Sequence, residues 1–216
     1  MNVVASIQAR LGSTRLPGKV LYPLGEKRIL ERCIDRAKQA DSIDKVVVAV
    51  GDRPENDALR EFCDRYNVSY SVGPEDDLLS RHLSVSKETD CDILVRITAD
   101  CPFLPSQEID RVVNEHSSND SRYTTNVTDQ MPIGTAVDAI NPDVLEELDE
   151  LGETHPVKRP RSDTDEWKTT FTSNESWSSV PDVDLAVDTP NDYWTLVDAL
   201  DAVGDDFSEV ADWISE

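Results

Sequence analysis

Three cations, Arg10, Arg15 and Lys19, stand within ten residues of one another, and no acid lies between Met1 and Gly25. The stretch that carries them, residues 8–19, reads Gln-Ala-Arg-Leu-Gly-Ser-Thr-Arg-Leu-Pro-Gly-Lys. Its glycines and hydroxyl residues leave backbone N–H groups free to point at a ligand. Guanidinium forks and a lysine point charge are the usual partners of phosphate oxygens. In a chain with 44 acids, 21 bases and a net charge of −23, a loop kept free of acids predicts a bound polyphosphate. A solvated loop whose cations balance nearby acids is the simpler reading of the same residues. Two familiar phosphate motifs do not fit. Five residues, not four, separate Gly12 from Gly18-Lys19, and Val20 has no hydroxyl for a metal ion, so this is not a Walker A loop. Nor do Gly12 and Gly18 make the dinucleotide Gly-x-Gly-x-x-Gly fingerprint.

The loop follows an apolar run, Val3–Ile7, and precedes a helical pattern that begins near Ile29, so it joins a buried strand to a helix. Lys45–Val50 and Val68–Val72 read as further parallel strands, with amphipathic helices between. Glu75, Asp76 and Asp77 open the next helix and suit its positive end as caps; His82, on the apolar side, reads as a core histidine. A fourth strand, Asp92–Thr98, runs out at Asp100. A carboxylate there lies at the edge of the sheet where open α/β folds bind ligands. A helix follows over 105–116. Tyr123–Asn126 and Ile133–Ile140 are further strand candidates, Gly134 marking a tight approach or a bulge. Another helix runs from Asn141-Pro142 to Leu151. Periodicity then fades from 152 to 182. The chain recovers with a short apolar strand, Val183–Val187, which ends at Asp188, and with a helix in which Asp192 is an N-terminal acid. Phe207, Val210 and Trp213 pack a final helix on the core. Alternating strands and helices predict one α/β domain over residues 1–216 with a mainly parallel central sheet.

Ala9-Arg10-x-x-Ser13-x-Arg15-x-Pro17-Gly18-Lys19 directly after a first strand resembles the signature of the sugar cytidylyltransferases, the spore-coat polysaccharide type above all, together with the 3-deoxy-manno-octulosonate and acylneuraminate enzymes. Arg96-Ile-Thr-Ala-Asp100-Cys-Pro and Val187-Asp188-Thr-Pro-x-Asp192 resemble two further segments of that family. The resemblance implies a three-layer, Rossmann-like nucleotide-diphospho-sugar transferase fold. It implies nucleotide contacts from Ala9, Arg10, Ser13, Arg15, Lys19 and Arg81, with Arg10, Arg15 and Lys19 acting in catalysis. Asp100 and Asp188 would be the carboxylates of an Mg2+ site, which agrees with that ion's preference for one or two carboxylates plus substrate phosphates. The implied reaction joins CTP to an acidic sugar of nonulosonate or octulosonate type, for surface polysaccharide synthesis. The family's Pro-Asp-Gly-Leu-Asp-Val-Glu segment, which shapes the sugar pocket, reads here Pro132-Ile-Gly134-Thr-Ala-Val-Asp138, two aspartates having become Ile133 and Ala136. Gly134, Asp138 and, from the corresponding lid region, His155 are the implied sugar contacts, with Glu153, Lys158, Arg159 and Arg161 as further candidates. Residues 152–182 would form a lid or a dimer contact in a homodimer. A glycosyltransferase of related fold is disfavoured because Asp100 lacks an Asp-x-Asp partner; a non-catalytic nucleotide-binding module stays open because of the two replaced aspartates.

Composition adds expectations of its own. With 28 Asp, and 7 Lys against 14 Arg, the surface suits a protein kept soluble in high salt, and a halophilic source is predicted. Folding and activity without added salt would sink that idea. Such acidity excludes nucleic acid as a partner. The absence of an apolar run near 18 residues and of a leader pattern predicts a cytoplasmic protein with no membrane contact. Four cysteines without metal spacing predict reduced, buried thiols.

Overall fold

The computed structural model describes residues 1–177 and 182–216. Its elements in chain order are β1 (Val3–Ala9), the short β2 (Pro23–Leu24) and β3 (Lys27–Arg28), α1 (Ile29–Gln39), β4 (Lys45–Gly51), α2 (Asp57–Tyr66), β5 (Ser69–Gly73), α3 (Leu78–Thr89) and β6 (Ile93–Thr98). There follow α4 (Ser106–Ser118), β7 (Tyr123–Thr125), β8 (Asp138–Ile140), α5 (Pro142–Glu150), α6 (Lys158–Ser162), β9 (Thr169–Phe171), α7 (Pro190–Val203) and α8 (Phe207–Ser215). The main sheet runs β5-β4-β1-β6-β8-β7-β9, with β8 alone antiparallel to its neighbours.

β1 lies between β4 and β6 with helices on both of its faces; one face is wholly apolar, while on the other Val4 is joined by the polar Ser6 and Gln8. Its odd residues, Val3, Ala5, Ile7 and Ala9, pack with α1, α2 and α4; Val4 packs on the opposite face with α3, α5 and the fully buried Trp167. The result is three layers in a Rossmann-like α/β arrangement. The connection after β1 leads to β4 on one side, whereas the one after β5 crosses to β6 on the other. The carboxyl ends of β1 and β6 therefore flank the point where the winding reverses, the usual position of a ligand crevice.

A third apolar cluster joins α7 and α8 to Leu16, Phe103, Leu185 and Val187. Leu16 lies in the cationic loop, Phe103 just beyond Asp100, and Val187 just before Asp188. One core thus fixes three segments that carry charged groups. Burying each such side chain contributes roughly 1.5–3 kcal/mol.

The second half departs from the sequence expectations. Val183–Val187 is not a strand: it meets the 133 region through a single bridge, Ile133 to Asp184. The strand expected over 133–140 is cut to Asp138–Ile140. The cause lies at Asn126, whose side chain stands in for a ladder partner, accepting from Val137 N at 2.8 Å and donating to Thr135 O at 2.8 Å. Residues 152–182, where periodicity fades, supply α6 and the edge strand β9; residues 178–181 of that stretch lie outside the described residues. All four cysteines are buried free thiols.

Candidate active site

The carboxyl ends of β1 and β6 open into a cavity of about 510 Å³, a size suited to a small ligand. The cationic loop forms one wall. Its course is set locally: Leu11 N donates to Asn56 Oδ1 at 2.9 Å, Gly18 N to Leu11 O at 2.9 Å, and Leu16 N to Ser13 Oγ at 3.3 Å. Ser13 thus orders the loop backbone. Ala99 N donates to Gln8 O at 3.1 Å, which holds the end of β6 beside the end of β1.

The two strand-edge carboxylates meet at Lys19. Its Nζ donates to Asp100 Oδ2 at 2.6 Å and to Asp188 Oδ1 at 2.8 Å, and Arg15 Nη2 forms an ion pair with Asp188 Oδ2 at 2.9 Å. Burial opposes the Lys19 charge, but the two carboxylates outweigh it and hold the ammonium above its ordinary range. Burial likewise works to raise the Asp188 carboxyl, and Lys19 and Arg15 override it to hold the group below the usual carboxylate range. Asp188 owes its place to a non-strand route. Val187 N donates to Asp100 O at 2.9 Å, and the Thr189–Asp192 capping box starts α7 immediately afterwards, with Asp192 also accepting from Asp188 N at 3.0 Å.

Ala9, Arg10, Ser13, Arg15, Lys19, Arg81, Asp100, Asp188 and His155 all line the cavity. The other two sequence-derived substrate contacts do not. Asp138 is fully buried behind the cavity, where it accepts from Arg96 Nη1 at 2.7 Å and is also bonded by Arg161 and Tyr123. Those partners hold its carboxyl down to about 2 against the pull of burial. Gly134 has a φ of 90°, and a Cβ there would stand 2.6 Å from Leu185 C and 2.7 Å from Ala186 N. It lets the chain pass that leads to Asp188. Both residues are expected as sugar contacts, and the structure places neither of them on the cavity wall. Of the further candidates, Lys158 reaches the cavity, whereas Arg161 is engaged by Asp138 and Glu153 and Arg159 pair with each other at 3.6 Å.

His155 is pushed down to about 4 by burial and by the Arg96, Lys158 and Arg161 charges, so it is a neutral imidazole at neutral pH. Its Nδ1 accepts from Val157 N at 3.4 Å, which leaves Nε2 to carry the proton. His82 is buried as expected, and bonds Ser6 at 2.7 Å and Gln8 at 3.4 Å. Sequence reasoning passed over Gln8, Glu75 and Thr154, which also line the cavity. Glu75 follows a strand end on the same sheet edge as Asp100, and that was the available signal. The arrangement can hold a polyanion between the loop cations, and its two carboxylates, both engaged by Lys19, already converge on one positive charge.

The cytidylyltransferase family model matches residues 4–158, well over half of the chain. The chain belongs to the cytidylyltransferase family. The spore coat polysaccharide biosynthesis protein SpsF of Bacillus subtilis is 28% identical over 90% of this chain and 85% of its own length. A solved cytidylyltransferase from Leptospira borgpetersenii superposes with a TM-score of 0.89 at 30% identity, covering 100% of this chain and 94% of that one. The 3-deoxy-manno-octulosonate cytidylyltransferase of Aeromonas salmonicida is 29% identical over 67% of this chain and 56% of its own length. The family match ends inside the cavity wall at Lys158, so Asp188 and the helices that follow it lie beyond the matched span.

Proposed function

We propose that this cytidylyltransferase uses CTP and Mg2+ to activate an acidic sugar, giving a CMP-sugar and pyrophosphate. The observation that carries the reading is the meeting of Lys19 and Arg15 with Asp100 and Asp188 at the winding reversal of the sheet. Arg10, Arg15 and Lys19 bind the β and γ phosphates and stabilise the charge that builds on the departing pyrophosphate. A sugar hydroxyl oxygen forms the new bond to the α-phosphorus, the bond from that phosphorus to the bridging oxygen breaks, and the hydroxyl proton goes to solvent. No protein nucleophile is required.

Asp100 and Asp188 suit a hard divalent cation, since both already converge on one positive charge. Among the described residues no group of three or more metal-ligating side chains occurs, so substrate oxygens would complete the coordination. When bound, Mg2+ neutralises phosphate charge and orients the reacting groups. Thr154, the neutral His155 and the cationic Lys158 offer the acidic sugar hydrogen bonds and one charge. The names of the octulosonate and spore-coat relatives support that class of acceptor. The terminal strand β9, with the exposed Phe171 on it, supports a homodimer, which light scattering reads directly.

The test is pyrophosphate release in molar salt with Mg2+, each of the four nucleoside triphosphates being offered with a panel of nonulosonates and octulosonates. Release confined to CTP and an acidic sugar is expected. Asp100→Asn should lower it by about 100-fold or more; undiminished release would remove Asp100 from the metal site.

A further inference from the structure

Glu75 and Arg81 are almost wholly buried, each 4% exposed, and both face the cavity. Their hydrogen bonding is incomplete. Glu75 Oε2 accepts from Asn56 Nδ2 at 2.7 Å, but Oε1 has no hydrogen-bond partner among the described residues; its nearest ion-pair partner, Arg10 Nη1, lies 4.0 Å away. Arg81 Nε and Nη1 are likewise without acceptors. Buried polar atoms are seldom left unpaired in a native protein; a water, an ion or a ligand completes those that protein groups do not.

The backbone makes room for both side chains. A Cβ on Gly51, the last residue of β4, would stand 1.7 Å from Glu75 Oε2, and one on Gly73, the last residue of β5, 2.9 Å from Arg81 Cγ. Two adjacent strands therefore end in residues that admit a carboxylate and a guanidinium against the sheet edge. β5 lies three strand positions from β6, roughly 14 Å at the usual spacing. The pair accordingly stands beside the ends of β4 and β5, on the side of the cavity away from β6, with the Glu75 carboxylate next to Arg10.

We propose that Glu75, assisted by Arg81, reads the nucleobase. Glu75 Oε1 accepts from the exocyclic amine of cytosine, while Arg81 donates to the ring's carbonyl side. A carboxylate is an acceptor only. It pairs with an amine and is opposed by the carbonyl that uracil carries at the same ring position. A site built to bond one polar group rejects the analogue lacking it more strongly than an apolar pocket rejects a change of size. This rests on the nucleotide assignment made above and supplies its base selectivity.

The test is calorimetric binding of CTP, UTP and the triphosphate of pyrimidin-2-one riboside, which lacks the amine, with no acceptor sugar present. The native protein is expected to bind CTP at least tenfold more tightly than either of the others. In Glu75→Gln, Asn56 Nδ2 holds the amide oxygen, which turns the amide NH2 toward the base. CTP affinity then falls about tenfold and the preference over UTP collapses. Pyrimidinone binding as tight as CTP in the native protein overturns the proposal, whatever the variant's folding. A folded variant that weakens CTP and UTP equally also overturns it, because that is the signature of a carboxylate serving only to hold Arg10. Native protein that binds none of the three nucleotides overturns the nucleotide assignment itself, and the base reader with it.

Discussion

Replacing Asp138 by Asn separates the two roles this residue could have. The carboxyl is held at about 2 against an ordinary 3.8, which corresponds to about 2 kcal/mol of native-state stabilisation. Asn keeps the shape but loses the charge, leaving Arg96 and Arg161, with side chains 9% and 26% exposed, turned toward a neutral amide. Breaking a buried ion pair from one side costs about 3–5 kcal/mol, because the remaining charge is left uncompensated. For a chain of this length that is a fall in Tm on the order of 10 °C. Urea unfolding at neutral pH measures it, and the KM for CTP should change little. A second signature lies in acid. The native pKa is depressed, so the contribution is present above about pH 3.8 and is lost as pH falls toward 2; the variant should lack that part of the acid slope. A loss under about 1 kcal/mol with a raised KM for the sugar would refute the framework role and return Asp138 to the substrate.

Lys19→Met removes the ammonium shared by Asp100 and Asp188. Pyrophosphate release should drop about 100- to 1,000-fold, while Mg2+ titrated into nucleotide-free protein should bind more tightly than in the native chain. Unchanged cation binding would show that ammonium and metal do not share the carboxylates. Gly134→Ala forces a Cβ against Leu185 and Ala186, and the displaced 185–188 segment should lower kcat more than it raises the KM for CTP; a stability change alone, seen in urea with kcat intact, would mean that the segment re-forms around the methyl group.

The first hundred residues were legible because parallel strands buried on both faces are continuous apolar runs and the helices between them carry one apolar stripe. Val3–Ile7 and Lys45–Val50 needed no tertiary information. The rim beyond β6 did. Thr169–Phe171 has no pattern to mark it as a strand and becomes one by pairing with β7. Val183–Val187 has the pattern but no ladder, since its backbone is spent on Ile133 and on Asp100. The cationic loop could be read from residue types alone, because nothing but charge and backbone freedom was at issue. Glu75 was legible only in part: its place after a strand end was a signal, but an acid at a helix start is usually a cap, as Asp77 is here, and the room left by Gly51 at the end of the neighbouring strand is what shows the side chain turning inward. The burial of Asp138 was hidden for the opposite reason, its cationic partners being distant in sequence.

Leu16, Phe103 and Val187 share one apolar cluster with α7 and α8. Each is a near neighbour of a charged group, Arg15, Asp100 and Asp188 respectively, so the C-terminal helices act as a jig for chemistry carried by segments far apart in the chain. Those helices are also intensely acidic on their outer faces, with no base after Lys168. One layer of hydrocarbon therefore insulates two kinds of selection. The outer charges can be exchanged without touching the site, while the inner side chains hold three polar groups in register.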